Sequence, residues 1–389
     1  MQHSKPPLHT PQRAGDLARV QTAALVIIAF AVVLFLLVQA RFMLISLASA
    51  IVLFSLTSAV INFIARQRLG PFRVPSFVAS LVALIIIAAA LMTASGILLA
   101  QINTVVSVAL AYAEQVPRAV ASLFAFMGET TETAIETSLK SIDVSSYART
   151  LAARASDVTQ AAVLVILFVG FLFAERIWFD TKLINLMGDQ AQAVRVTNII
   201  KSIIWRVNYY LLVKAVVSAL TGLMIYLLAL GFKLELALAL GVITFVLNFI
   251  PNVGSIIATV VVALVGHIEL NDTTSTLLIF VLAGGIQFTN GNIIDPMMMG
   301  RALRLSSFGI IISLAFWGAV WGIPGMFLSV PIMVMLLVVC SHVPSLRPVA
   351  ILLSREGLPE PEETLARPSD LRRRGGGSAA PTPVTPASK

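Results

Sequence analysis

Two short stretches set helix-breaking residues inside otherwise apolar sequence. Asn248-Phe249-Ile250-Pro251-Asn252-Val253-Gly254 places two amides around a proline and a glycine, and Gly322-Ile323-Pro324-Gly325 repeats the breaking pair without the amides. Proline removes a backbone donor and glycine permits turn geometry, so a helix can stop and reverse at each. A third stretch carries Gln287, Asn290, Asn292 and Asp295. Gln287 and Asn290 are neighbours at i, i+3 on one helix face, as are Asn292 and Asp295. Buried amides are costly unless paired, so they either line a path for a polar solute or serve carbonyls freed by Pro251. Asp295 followed by Pro296 fits a helix N-cap. That capping role is the preferred reading of Asp295, with proton or cation coupling by a carboxylate inside apolar sequence as the alternative. Lys214 is the second charged candidate for coupling, although from one to two turns inside its helix it can also extend to the cytoplasmic surface.

Other chemistry finds no residues. No GxxxxGK[ST], HExxH or GxSxG motif occurs, so ATP hydrolysis within the chain and the familiar hydrolases are unsupported. Four histidines, with His3 and His9 in the N-terminal arm, make a buried metal centre improbable. The single cysteine, Cys340, excludes an internal disulfide and reads as a packed small apolar residue. His267 reads as a solvated loop residue. No cofactor, metal or catalytic residue is called for.

The elements that must position these residues are membrane helices. Apolar residues make up 58% of the 389 and charged residues 12%, against roughly 45–50% and about 25% in soluble proteins. Mean hydropathy is +0.93. The excess of 27 Lys+Arg over 19 Asp+Glu, +8 in all, fits cytoplasmic-side anchoring better than nucleic-acid binding. Apolar runs from Thr22 to Ala40 and from Phe42 to Ile64 would make a single helix about 65 Å long, so they read as two spans turning near Gln39-Ala40-Arg41. A third span covers 74–100. Residues 101–157 carry six acids and four bases and read as external amphipathic helices. A fourth span follows at 158–174, then a cytoplasmic amphipathic stretch at 175–208 and a fifth span at 209–231.

Charge placement fixes the remainder. The N-terminal arm (residues 1–21), the Arg66–Arg73 loop and the 175–208 stretch are basic and separated by pairs of spans, which makes all three cytoplasmic. Reading 235–266 as one span would put Arg301 and Arg304 outside. A hairpin that enters from outside, turns at Pro251–Gly254 and leaves by the same side restores the pattern, with arms of roughly 20 Å each. Residues 273–294 then cross inward, and 306–343 forms a second hairpin from inside, broken at Gly322–Gly325. The predicted fold is an all-α polytopic membrane protein of about six full spans plus two oppositely oriented Pro/Gly-broken hairpins. The first 22–100 hold three spans, 209–343 forms a core with an inverted repeat, and 344–389 is a cytoplasmic, largely disordered tail. Inverted repeats of broken helices are a signature of secondary transporters, with the substrate site at the breaks. Two Pro-kinked full spans packed for stability are the bland alternative.

The residues also match a known pattern. Asn208-Tyr209-Tyr210, Lys214, Ser218 and Thr221-Gly222 come first, then Asn248 to Ser255, then Gly291-Asn-Ile-Ile-Asp-Pro-Met-Met-Met-Gly-Arg301. Phe316-Trp-Gly, Gly322-Ile-Pro-Gly and Pro331 close the series. In order and spacing, across 209–354, this resembles the autoinducer-2 exporter family of bacterial permeases; the N-terminal half resembles it only in its pattern of spans. The resemblance implies a multi-pass inner-membrane homo-oligomer, a pentamer, with no nucleic-acid partner. It also implies export of a small polar organic solute such as the furanone-type signal autoinducer-2, with sodium/proton antiport as the alternative. Asp295 keeps the carboxylate of the family's GN…P motif. Pro251, Gly254, Gly322, Pro324 and Gly325 join the amides Asn248, Asn252, Gln287, Asn290 and Asn292 as the expected path. A non-transporting scaffold or membrane subunit, docking a partner through 180–206, is the reading from a different class.

Overall fold

The computed structural model describes residues 11–357 apart from 67, 70–71, 74–75, 123–127, 142, 300–304 and 356. Helices dominate: α1 (Pro11–Gln39), α2 (Arg41–Arg66), α3 (Ser76–Ala111), α4 (Val116–Ser122), α5 (Glu129–Lys140), α6 (Val144–Glu175) and α7 (Phe179–Met187). After these come α8 (Gln190–Gly231), α9 (Ala237–Leu247), α10 (Val253–Leu270), α11 (Thr273–Thr289), α12 (Asp295–Met299), α13 (Ser307–Trp321), α14 (Ile323–His342) and α15 (Arg347–Leu353). Between α2 and α3, Arg68–Leu69 pairs antiparallel with Phe72–Arg73. Among the described residues, seven helical stretches are long and apolar enough to cross a membrane. The chain is an all-α polytopic membrane protein.

Three buried clusters hold the helices together. One joins α8 to α13 and α14 through Tyr210, Leu211, Val320, Trp321, Val334 and Cys340. A second packs α8–α11 around Ile225, Leu240, Val262 and Ile279. The third, in α2, α3 and α6, is built on Ala50, Ala83 and Val169, with Phe54 and Phe173 edge to face at 4.9 Å. Outside these clusters many apolar side chains point outward, among them Ile27, Phe30, Ile85, Leu227 and Val281, as a lipid-facing surface requires.

Several expected boundaries move. The amphipathic 190–208 segment and the fifth span are one 42-residue helix, α8, about 63 Å long and therefore extending well beyond the hydrocarbon. Likewise α6 fuses the end of the amphipathic 101–157 region with the fourth span. The expected turn at Gln39–Arg41 is a bend: Ala40 keeps helical bonds to Leu36 and from Leu44. The indole of Trp321 donates to Leu37 O at that bend, at 3.1 Å. Single-residue interruptions with helical bonds on both sides deflect a helix and cannot reverse it. His3 and His9 of the N-terminal arm, Arg301 and Arg304 between α12 and α13, and Arg372–Arg374 of the tail lie outside the described residues.

Both predicted breaks are present, and the chain folds back at each. A Cβ on Gly254 would lie 1.7 Å from Leu247 O, and one on Gly325 would lie 2.0 Å from Trp317 O. In a continuous helix, residues seven or eight apart are separated by about 10–12 Å. Contact at those separations means the backbone has turned back on itself. Asn252 has φ +59° at the first break and Gly322 φ +68° at the second. The arms are unequal, where two half-spans were expected. α9 has 11 residues and α10 has 18, while α13 has 15 and α14 has 20, so the second arms reach about 27 and 30 Å. The two breaks meet, with Phe249 stacked on Phe327 at 4.7 Å between ring centroids.

Candidate functional site

Helix α8 carries Tyr210, Lys214, Ser218 and Thr221 at i, i+4, i+8 and i+11, one stripe of polar side chains along a mostly apolar helix. All four are buried, at 3%, 4%, 0% and 1% exposure. The stripe faces the first break and the end of α11. Asn248 donates from Nδ2 to Ser218 Oγ at 3.1 Å, and Asn290 donates from Nδ2 to Asn248 Oδ1 at 3.4 Å. Lys214 Nζ lies 2.7 Å from Asp295 Oδ2. A hydrogen-bonded row from α8 through the break to α11, next to a buried ion pair, forms the polar heart of the core.

Close backbone approach makes this geometry possible. A Cβ on Gly222 would lie 2.7 Å from Gly241 O, and one on Gly241 3.0 Å from Gly222 O, so α8 and α9 pack glycine to glycine. At the other end, α11 passes into a π-helical turn over Asn290–Ile294, closed by Asp295 N–H to Asn290 O. Such turns insert a residue into the helical register and are frequent at functional sites. Asn290 is buried, while Asn292, two residues on and so on the opposite face, points outward and donates to Phe288 O at 3.0 Å.

The expected residues therefore separate into two groups. Asn248, Gln287, Asn290, Lys214 and Asp295 are buried or largely so and share the interior. Asn252 and Asn292 are exposed and stay out of the row. Gly254, Gly325, Pro251, Gly322 and Pro324 build the breaks and offer no side-chain chemistry of their own. Three readings require correction. Lys214 does not extend to the surface, because Asp295 holds it inside. Asp295 caps no helix end: its backbone is helical and continuous with the π turn, and its carboxylate faces Lys214. His267 is buried at 5%, between Ser122 Oγ at 2.8 Å and Thr276 Oγ1 at 2.9 Å.

Sequence reasoning gave no role to Tyr210, Ser218 or Thr244, although the four-residue polar spacing along α8 was there to be read. Thr244 lies one turn before Asn248 and is 1% exposed. Tyr210 lies within electrostatic reach of Asp295. Among the described residues, no hydrogen-bond partner meets Tyr210 Oη, Thr244 Oγ1, Gln287 Nε2 and Oε1, Asn290 Oδ1 or Asp295 Oδ1. Buried polar atoms are ordinarily satisfied, and each unmet one costs about 1–3 kcal/mol. Such atoms, spread along the α8–α9–α11 interior, offer hydrogen-bonding capacity to a polar ligand, water or cation.

Comparison with known proteins follows the same lines. A model of the AI-2E family of transporters matches residues 24–345. A Borreliella burgdorferi protein to which transport is ascribed is 32% identical over 196 residues, 50% of this chain and 54% of that protein. The AI-2 transport protein TqsA of Escherichia coli is 31% identical over 201 residues, 51% of this chain and 57% of its own length. A Haemophilus influenzae protein, again with transport ascribed, is 32% identical over 199 residues, covering 51% and 57%. The chain thus spans about half the length of these curated relatives.

Proposed function

The chain belongs to the AI-2E family of transporters, and from that premise we propose that it exports a small polar organic solute across the bacterial inner membrane. Autoinducer-2 is the first candidate, since one relative is named for its transport. The observation that carries this reading is the buried Lys214–Asp295 pair at the end of the Ser218–Asn248–Asn290 row. Charges inside a membrane helix are costly and mark ion or substrate pathways. Unmet hydrogen-bonding atoms on Gln287, Thr244 and Asn290 supply the donors and acceptors a polar solute needs.

In this scheme the two folded-back segments are re-entrant hairpins of opposite orientation, as the distribution of basic residues in the sequence requires. Both termini are cytoplasmic, the 101–157 region is external, and the chain assembles as a homo-oligomer. Residues 209–343 form the transport core. Asp295 alternates between Lys214 and an incoming proton or sodium ion, and Lys214 neutralises the carboxylate in between. Sodium/proton antiport is the second reading, favoured by the same ion pair.

Reconstituted protein tests the scheme through flux of radiolabelled autoinducer-2, with and without an imposed proton gradient, in wild type and Asp295→Asn. Gradient-stimulated flux that the substitution abolishes supports a coupled exporter. Flux indifferent to both leaves a passive facilitator. Sodium-dependent proton movement without solute flux establishes antiport instead.

A further inference from the structure

A cavity whose lining shares no residue with the polar row lies between the N-terminal bundle and the transport core. It has a volume of about 490 Å³ and is walled by α3 (Ala94, Leu98), α8 (Ala219, Leu223) and α9 (Leu238, Phe245), with Val158 of α6 at its edge. The buried Gly222–Gly241 contact forms its floor. Its lining is almost wholly apolar, with Ser95 and Tyr226 the hydroxyl-bearing members. It is open along one side, and water is a poor occupant, since a water needs two to four polar partners.

What fills it is indicated by where it opens. Ile97, Leu223 and Leu238 line the cavity and are 49%, 52% and 55% exposed, so they form a mouth. That mouth is continuous with the outward-facing apolar surface of the same helices, at Ile85 and Ile86 on α3 and Leu220 and Leu227 on α8. α3 and α8 are long and apolar enough to cross the membrane, so the crevice opens onto acyl chains of the surrounding lipid. A polar solute would find only the Ser95 and Tyr226 hydroxyls there. We infer that the crevice is a binding site for one phospholipid acyl chain, seated on the Gly222–Gly241 floor as a wedge between α3 and the first folded-back segment. This site is independent of the transport reading.

Photolabelling decides it. The full chain is reconstituted in phosphatidylethanolamine/phosphatidylglycerol vesicles containing a phospholipid with a mid-chain diazirine, irradiated, digested and mapped by mass spectrometry. Adducts on 94–98 and 238–246 severalfold above those on the lipid-facing Ile27–Leu36 stretch of α1 are expected. Ala94→Phe and Ala219→Phe fill the crevice from opposite walls, and each abolishes that excess while leaving α1 labelling unchanged. Unchanged α1 labelling verifies insertion, and an unchanged unfolding temperature in detergent verifies the fold. Equal labelling of crevice and α1 in the wild type overturns the inference, because the lipid is then only annular. So does cross-linking of α3 to a second copy of the chain without lipid adducts.

Discussion

Lys214 and Asp295 stand 81 residues apart in the chain and 2.7 Å apart in the fold. Lys214 comes from the polar stripe of α8, and Asp295 from the residue just past the π turn. Removing one partner of a buried pair leaves an uncompensated charge, at about 3–5 kcal/mol, whereas replacing both is often near neutral. Lys214→Met and Asp295→Asn are each expected to lower the unfolding temperature in detergent. The double variant recovers most of that loss, and flux remains absent in all three. A double variant as unstable as the singles would show that the pair does not interact as described.

The breaks depend on glycine for space. With a Cβ falling 1.7 Å from Leu247 O or 2.0 Å from Trp317 O, Gly254→Ala and Gly325→Ala force backbone apart at both turns. Overpacking typically costs about 1–3 kcal/mol, and rigid backbone is the least forgiving neighbour. Gly285→Ala is the control, because nothing lies within 4 Å of its added methyl. Thermal unfolding should separate the first two from the third, and equal effects would contradict the folded-back geometry.

Among the amides, burial predicts consequence. Asn248 bridges Ser218 and Asn290 from inside, while Asn292 bonds only Phe288 O from an exposed position. Asn248→Ala should cost about 1–3 kcal/mol through the partners left unmet and should strongly reduce solute flux. Asn292→Ala should change neither much. Transport assays with matched membrane expression distinguish the two, and the reverse ranking would relocate the path.

His267 joins α10 to α4 and α11 through Ser122 and Thr276. Thr276 donates its own hydroxyl hydrogen to Asp272 O at 2.7 Å, so it accepts from His267 Nδ1. His267→Ala removes both links, and hydrogen exchange should show faster opening of 116–122 and 129–140 with the polar row still protected. Unchanged protection there would mean that other contacts dock these helices.

Asp272 caps α11, accepting from Thr274 N at 3.2 Å and Ser275 N at 2.8 Å. Hydrogen bonds from Ser275, then Thr274, hold its carboxyl below the usual carboxylate range. A depressed carboxylate stabilises the fold above its unfolded value, and that contribution disappears as pH falls through the folded one. Stability should therefore decline below the ordinary carboxylate range, and Asp272→Asn, which keeps the cap without the titration, should flatten that part of the profile. Detergent unfolding across acidic pH measures it.

The sequence by itself determined the class and the punctuation of this protein. Its apolar content forces membrane helices, and Pro251 with Gly254 and Gly322 with Gly325 fall where the helices break, because backbone restrictions act locally. The amides were legible only as a set: the demand of buried amides for partners did not separate buried Asn248 and Asn290 from exposed Asn252 and Asn292. Only the tertiary structure decided which charges meet. A lysine near a helix end reads as surface-seeking until a carboxylate from another helix is brought beside it, and that depends on the end of α11 and α12 packing against α8. The π turn after Thr289 was equally invisible: an i, i+3 pattern assumes regular helix and puts Asp295 on the face of Asn292, whereas the wider turn leaves Asp295 on the inner side with Asn290. Helix lengths escaped for a related reason, because α8 and α6 run on past the bilayer edge without any break in helical propensity to mark it.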